Sequence, residues 1–283
     1  MSGLDQLTAP EAELGEAPVW LPDHGGLCWV DQAAGDALRL TGSGEVERWH
    51  VGPRVAIVRA RRDGGLILAL DRGFGQADAW GALVSTGPQL WPDADVWFND
   101  GTCDPDGTLW CGTAPADFSG TRCALYRHAP DGTTDRVLDG VGISNGLAWS
   151  PDGSRTYYVD TLTRRIDVFD GRPSAASPRR PFATIEDGVG YPDGLCVDAD
   201  GRVWVALWDG GAVRCYEPDG SLAEVIAVPV RQVTACTFGG PDLADLYITT
   251  KREGHRPDEA ATAGSVFRAR PGAVGLPAAP FAG

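Results

Sequence analysis

An Asp-containing turn followed by a β-rich run returns six times along this 283-residue chain. The turn aspartates Asp23, Asp63, Asp106, Asp152, Asp200 and Asp242 lie 40 to 48 residues apart. The runs after them are "GLCWVD", "GLILALD", "TLWCGT", "RTYYVDT", "RVWVALW" and "DLYITT". Each unit then has a second run: "ALRL", "GALVS", "ALYRH", "RIDVFD", "AVRCYEPDG" and "SVFRARPG". This is the period of a four-stranded propeller blade, and a β-sandwich or a pair of small barrels would not generate it. Helical periodicity is absent, while 38 Gly and 21 Pro supply the punctuation short strands require. The expected fold is all-β: a single domain over residues 1–283, a six-bladed β-propeller of four-stranded blades around a central channel. Residues 4–8 are expected to close the ring by adding a strand to the last blade, which removes an exposed sheet edge. "DGRPSAASPRRP", residues 170–181, reads as a solvated, mobile loop.

Charge narrows the partners. A formal net charge of -15 and a pI near 4.6 argue against nucleic acid and against an anionic membrane surface, since both demand clustered Lys and Arg. No segment reaches the roughly 18 apolar residues of a membrane span, and "MSGLDQLTAPEAELGEAP" has no basic stretch followed by an apolar run. The expected location is cytoplasmic, and the expected state a monomer or weak homo-oligomer. Seven cysteines without a Cys-x-x-Cys pair, several inside apolar runs, read as reduced core residues and not as a disulfide framework or zinc site.

Register singles out the candidate site. Seven positions before the turn aspartate stand Glu16, Asn99, Asn145 and Asp193 in units one, three, four and five, and Ala56 and Ala235 in the other two. Each polar residue has an ordinary structural role available. Asn99, Asn145 and Asp193 precede Asp-Gly or Gly and could form turns, and Glu16 could be a strand-edge acid. Their coincidence at one blade position points elsewhere, because equivalent positions of the innermost strands lie at equal depth around the channel axis. Two carboxylates and two amides form an oxygen-only set suited to one divalent cation. Such a set suits Ca²⁺, Mg²⁺ or Mn²⁺, with Ca²⁺ the first choice, and Zn²⁺ or Fe²⁺ stays open for a catalytic site. A cation would also relieve the repulsion between Glu16 and Asp193.

At these residues the sequence resembles a known family. "GEAPVW", "FNDGTCDPDGTLWCGT", "SNGLAWSPDG", "YPDGLCVDADGRVWVA" and the ending "GLPAAPFAG" are similar to the gluconolactonase, regucalcin and luciferin-regenerating-enzyme family over the full length. The resemblance implies a six-bladed propeller that hydrolyses a small-molecule sugar lactone with one divalent metal in the channel. It implies Glu16, Asn145 and Asp193 as metal ligands, Asn99 as a residue touching substrate and water, and Asp193 as the catalytic base. One position departs: the family's commonest motif has Arg two residues before the Asn, in contact with substrate hydroxyls, and this chain has Trp97. A ring in place of a five-donor cation shifts the expected recognition toward stacking and toward a smaller or less hydroxylated lactone.

Two other functions remain compatible with such a channel: a metal-dependent phosphotriesterase, and a non-catalytic calcium- or ligand-binding propeller. A Ser-His-Asp hydrolase is not expected, because the chain holds four histidines and no Gly-x-Ser-x-Gly elbow. His255, in the 251–264 stretch expected to form a rim loop over the channel, reads as solvated.

Overall fold

The computed structural model describes residues 3–283 and consists of six antiparallel sheets of four strands each, set in a ring. The innermost strands are Gly15–Leu21, Val55–Ala60, Val96–Cys103, Ser144–Trp149, Tyr191–Val197 and Val233–Gly239, in blades one to six. They pack against one another around the axis. The run after each turn aspartate forms the second strand of its blade, as in Leu109–Pro115 and Val203–Trp208. In five blades the second sequence run supplies the third strand. Blade two differs: its third strand is Phe74–Ala77, and the "GALVS" run becomes the outermost strand, Leu83–Thr86. A third strand with glycine at Gly75 and only four residues carries too weak a β signal to be found by composition.

Ring closure comes from both termini. Leu4–Gln6 pairs antiparallel with Phe267–Ala269 and is the outermost strand of blade six, so the first segment of the chain completes the last sheet. At the turn end of the channel the C-terminal tail ties distant blades together. Gly275 N–H donates to Leu243 O, Ala199 N–H to Val274 O, Phe281 N–H to Ala60 O and Ala282 N–H to Gly107 O. Between these anchors Leu276, Pro277, Ala278 and Ala279 line a cavity of about 420 Å³ at that end.

The turns themselves are built by an aspartate that the repeat pattern understates. In "DPDGTLW" and "DADGRVW" the first Asp, Asp104 or Asp198, is fully buried. Asp198 Oδ1 accepts from the N–H groups of Asp200 and Arg202 at 3.0 and 2.9 Å, and Oδ2 accepts from Trp204 Nε1 at 2.9 Å. Asp104 repeats the arrangement with Asp106, Thr108 and Trp110 at 3.0, 2.9 and 3.1 Å. One carboxylate thus closes the turn and fixes the large ring that fills the blade, which lets a charged group sit in the core with its acceptor capacity satisfied. Arg172 of the 170–181 segment reaches Asp104 at 2.7 Å, and Arg179 reaches Asp167 at 3.5 Å. These ion pairs tether a loop that its Pro/Ser/Arg composition marks as solvated and mobile.

All seven cysteines are free thiols, six of them buried. Among the described residues no helix is long and apolar enough to cross a membrane.

Candidate active site in the channel

Every innermost strand carries one extra residue at the same height. Its ladder with the second strand skips between Glu16 and Val19, Val55 and Ile57, Phe98 and Gly101, Ser144 and Leu147, Pro192 and Leu195, and Val233 and Ala235. A bulge leaves a residue out of the ladder and re-aims its side chain. Glu16, Asn99, Asn145 and Asp193 all sit at these breaks, and all four line one cavity of about 380 Å³. The residue after Glu16, Ala17, has φ 47°, a left-handed conformation that a non-glycine residue adopts at a cost.

The Asp193-Gly194 pair, a strong turn signal in the sequence, lies inside the innermost strand of blade five. Gly201 of the neighbouring Asp200-Gly201 pair has φ +83° and makes the hairpin turn; Gly194 is not left-handed. A Cβ on Gly194 would stand 2.4 Å from the Ala235 Cβ of blade six. Glycine is there because two inner strands converge.

Two oxygen atoms at this height lack partners. Asn145 Oδ1 and Asp193 Oδ1 are buried and accept no hydrogen bond from any described residue. Asn145 is oriented by a relay. The Thr161 hydroxyl donates to Pro192 O at 2.9 Å, so toward Asn145 it can only accept, and it takes the Nδ2 N–H at 3.0 Å. Oδ1 then points away from that bond. Asn99 is set similarly, with its Nδ2 donating to Ser144 O at 3.0 Å, while its backbone carbonyl accepts from Gln32 Nε2 at 2.9 Å. Glu16 Oε2 accepts from Ala17 N–H at 2.9 Å.

Electrostatics makes this set expensive as bare side chains. Burial, then the charge of Asp100, pushes the Glu16 carboxyl up to about 8. Burial, then Glu16 and Asp100, raises Asp193 well above the ordinary aspartate range. Asp100 is itself raised by burial, against the opposing charge of Arg59. Arg59 lies buried one layer deeper and donates to Val58 O at 2.8 Å, Ala17 O at 3.3 Å and Gly101 O at 2.6 Å, knitting the first three inner strands together. Two unpartnered oxygens beside a second carboxylate are the arrangement that a hard divalent cation satisfies. Among the described residues no three His, Cys, Asp or Glu side chains cluster with metal-binding geometry; the set here is two carboxylates and an amide.

Two residues above this layer, toward the mouth, a second ring appears. Leu14, Arg54, Trp97, Ile143 and Tyr191 each precede a register position by two, and all five line the cavity. Trp97 lines the cavity, but one of its faces is occupied: the Arg54 guanidinium carbon lies 3.8 Å from the ring centroid. Lys251 and Trp208 make a second cation–aromatic pair on the lining, at 5.2 Å. Arg54 was readable by the same register that gave Asn99, one blade earlier; Lys251 and Trp208 come from other strands and loops and had no such signal. Of the 251–264 segment Lys251 lines the cavity, while His255 is exposed with Nδ1 against Arg252 O at 2.8 Å.

Comparison with known proteins places this architecture. Residues 14–252 match the model of the SMP-30/Gluconolactonase/LRE-like region. The chain belongs to that family. It is 37% identical to pentonolactonase XacC of Haloferax volcanii over 274 residues, covering 93% of each chain. Among solved structures it superposes on a luciferin-regenerating enzyme with a TM-score of 0.90 at 26% identity, covering 100% of both chains. It superposes on a calcium-binding protein, regucalcin, from Agrobacterium tumefaciens with a TM-score of 0.87 at 26% identity, covering 97% of this chain and 95% of the other.

Proposed function

We propose that this propeller is a metal-dependent lactonase, which opens the ring of a sugar-derived lactone to the hydroxy acid. The observation that carries the reading is the pair of buried, unpartnered oxygens, Asn145 Oδ1 and Asp193 Oδ1, at one height with the Glu16 carboxylate. In this reading Glu16, Asn145 and Asp193 hold one divalent cation, with Ca²⁺ preferred by an all-oxygen set and Mg²⁺, Mn²⁺, Zn²⁺ or Fe²⁺ as alternatives. The family, the 37% identity to a protein named pentonolactonase and the likeness to a calcium-binding regucalcin support it. Such a cation supplies Lewis acidity toward the lactone carbonyl.

The protein's own groups do the rest. Asp193 orients a water against the carbonyl carbon and takes its proton, and Asn99 contacts substrate and that water from blade three. Water oxygen bonds to the carbonyl carbon, the ring C–O bond breaks, and the departing ring oxygen takes a proton to become the new hydroxyl. Trp97 forms a wall against which the lactone ring packs. A cavity of about 380 Å³ has room for a ligand of single-sugar size.

Asp193→Ala is expected to abolish turnover and cation binding together. Acid release from a panel of aldonolactones by metal-stripped and reloaded protein, with calorimetric titration of Ca²⁺ and Mn²⁺, measures both. Full activity in Asp193→Ala would sink the assignment.

A further inference from the structure

The Arg54 guanidinium has no use in the reaction described above, and its surroundings point to one. It is half-buried on the cavity wall and sits over Trp97, its guanidinium carbon 3.8 Å from the ring centroid. The aromatic contact holds the guanidinium against the wall without using its N–H groups, and a guanidinium's forked donors can bind two oxygens of a carboxylate at once. Among the described residues it forms no ion pair and no hydrogen bond. Asp71, the carboxylate whose charge it feels, is already paired with Arg72 at 3.0 Å. A protein of net charge -15 has acidic groups to spare, so an arginine left unpaired in a concave site is suited to bind an anion.

Charge balance within the cavity agrees. Glu16 and Asp193 together match one divalent cation. Lys251 is balanced by Glu253 at 3.2 Å on the exposed side, although its ammonium still faces the cavity over Trp208. Arg54 remains as one uncompensated positive charge, one layer nearer the mouth than the reacting centre. The rest of that layer, Leu14, Ile143 and Tyr191, offers few donors for a chain of neutral hydroxyls.

We propose that Arg54 is a specificity-determining residue and that the preferred substrate is a lactone carrying a carboxylate on its ring substituent, remote from the carbonyl that is attacked. This rests on the lactonase reading. The test compares D-glucaro-1,4-lactone with D-glucono-1,4-lactone, which share ring and carbon count and differ in a terminal carboxylate against a hydroxymethyl group. Wild-type protein is expected to favour the acid-bearing lactone at least tenfold in kcat/KM. That ratio should collapse at least tenfold in Arg54→Met, mainly through KM, and recover in part in Arg54→Lys. In wild type the KM for the acid-bearing lactone should rise with ionic strength while that for the neutral one does not. Calorimetry of the open-chain diacid against gluconate gives the same comparison without turnover, and melting temperatures monitor folding of the variants. Equal use of the two lactones by wild type, or an equal loss on both in Arg54→Met, overturns the proposal and leaves a lactonase whose Arg54 reads hydroxyls or only packs on Trp97. Acid release from neither lactone with any divalent metal, in folded wild-type protein, overturns the lactonase reading and this one with it.

Discussion

At the scale of single residues, burial and neighbouring carboxylates make the ionised carboxylates of the channel high in energy, and two measurements follow. Glu16 is pushed up from 4.5 to about 8, so in metal-free protein the native state holds a proton there that the unfolded chain has released. That group's stabilisation is fully present below about pH 4.5 and is lost as pH rises toward 8; Asp193, raised in the same direction, adds to the slope. Metal-stripped protein should therefore melt at falling temperature between pH 5 and 8, and added Ca²⁺ should raise the melting temperature most at the alkaline end. A flat profile would contradict the buried pair. Thr161 is the residue that turns the Asn145 oxygen toward the cavity. Thr161→Val leaves the Asn145 N–H without its acceptor, and cation affinity should drop about tenfold or more by calorimetry, the usual cost of losing a group that orients a ligand. Glu16, Asn145 and Asp193 were legible in the sequence because register is a one-dimensional property. Asp100, Arg59 and Thr161 were not, since a neighbour's charge or a relay through Pro192 O depends on which chains fold side by side.

At the scale of the strand, the decisive element is the bulged inner strand. Its extra residue interrupts the ladder in each blade, and in blades four and five the sequence displays it as Asn-Gly and Asp-Gly, the same dipeptides that mark turns. Gly194 separates the two meanings: its Cβ position is filled by Ala235 of the next blade. Gly194→Ala is expected to destabilise the fold by about 1–3 kcal/mol through overpacking, and to weaken cation binding by displacing Asp193. A melt and a calcium titration on one sample check the two effects; an unshifted melt would mean that the strands can separate freely there. The hairpins beyond the bulges were readable as turns, yet their true organisers, Asp104 and Asp198, stand two residues ahead of the conspicuous Asp-Gly. The bond to the indole N–H six residues later, with Arg172 on Asp104 and Arg202 on Asp198, shows why a buried charge is tolerated.

At the scale of the whole molecule, a propeller must close, and here the closing strand is three residues long. Removing residues 1–8 takes away Leu4–Gln6 and leaves the backbone groups of Phe267–Ala269 as a free edge. The truncated protein should melt at a lower temperature and form concentration-dependent oligomers by light scattering; a monomer of unchanged stability would show that the C-terminal tail alone closes the ring. The sequence by itself determined the number of blades, the closing segment and the four polar residues that share a height, because a strand repeat writes its period and register directly into residue spacing. The tertiary structure decided what that spacing cannot carry: that the 170–181 loop is pinned by Arg172, that Phe74–Ala77 and not "GALVS" is the third strand of blade two, and that a guanidinium from blade two lies on Trp97 of blade three. Contacts between blades join residues some forty positions apart through closure of the ring, and no local pattern records which side chain meets which across that gap.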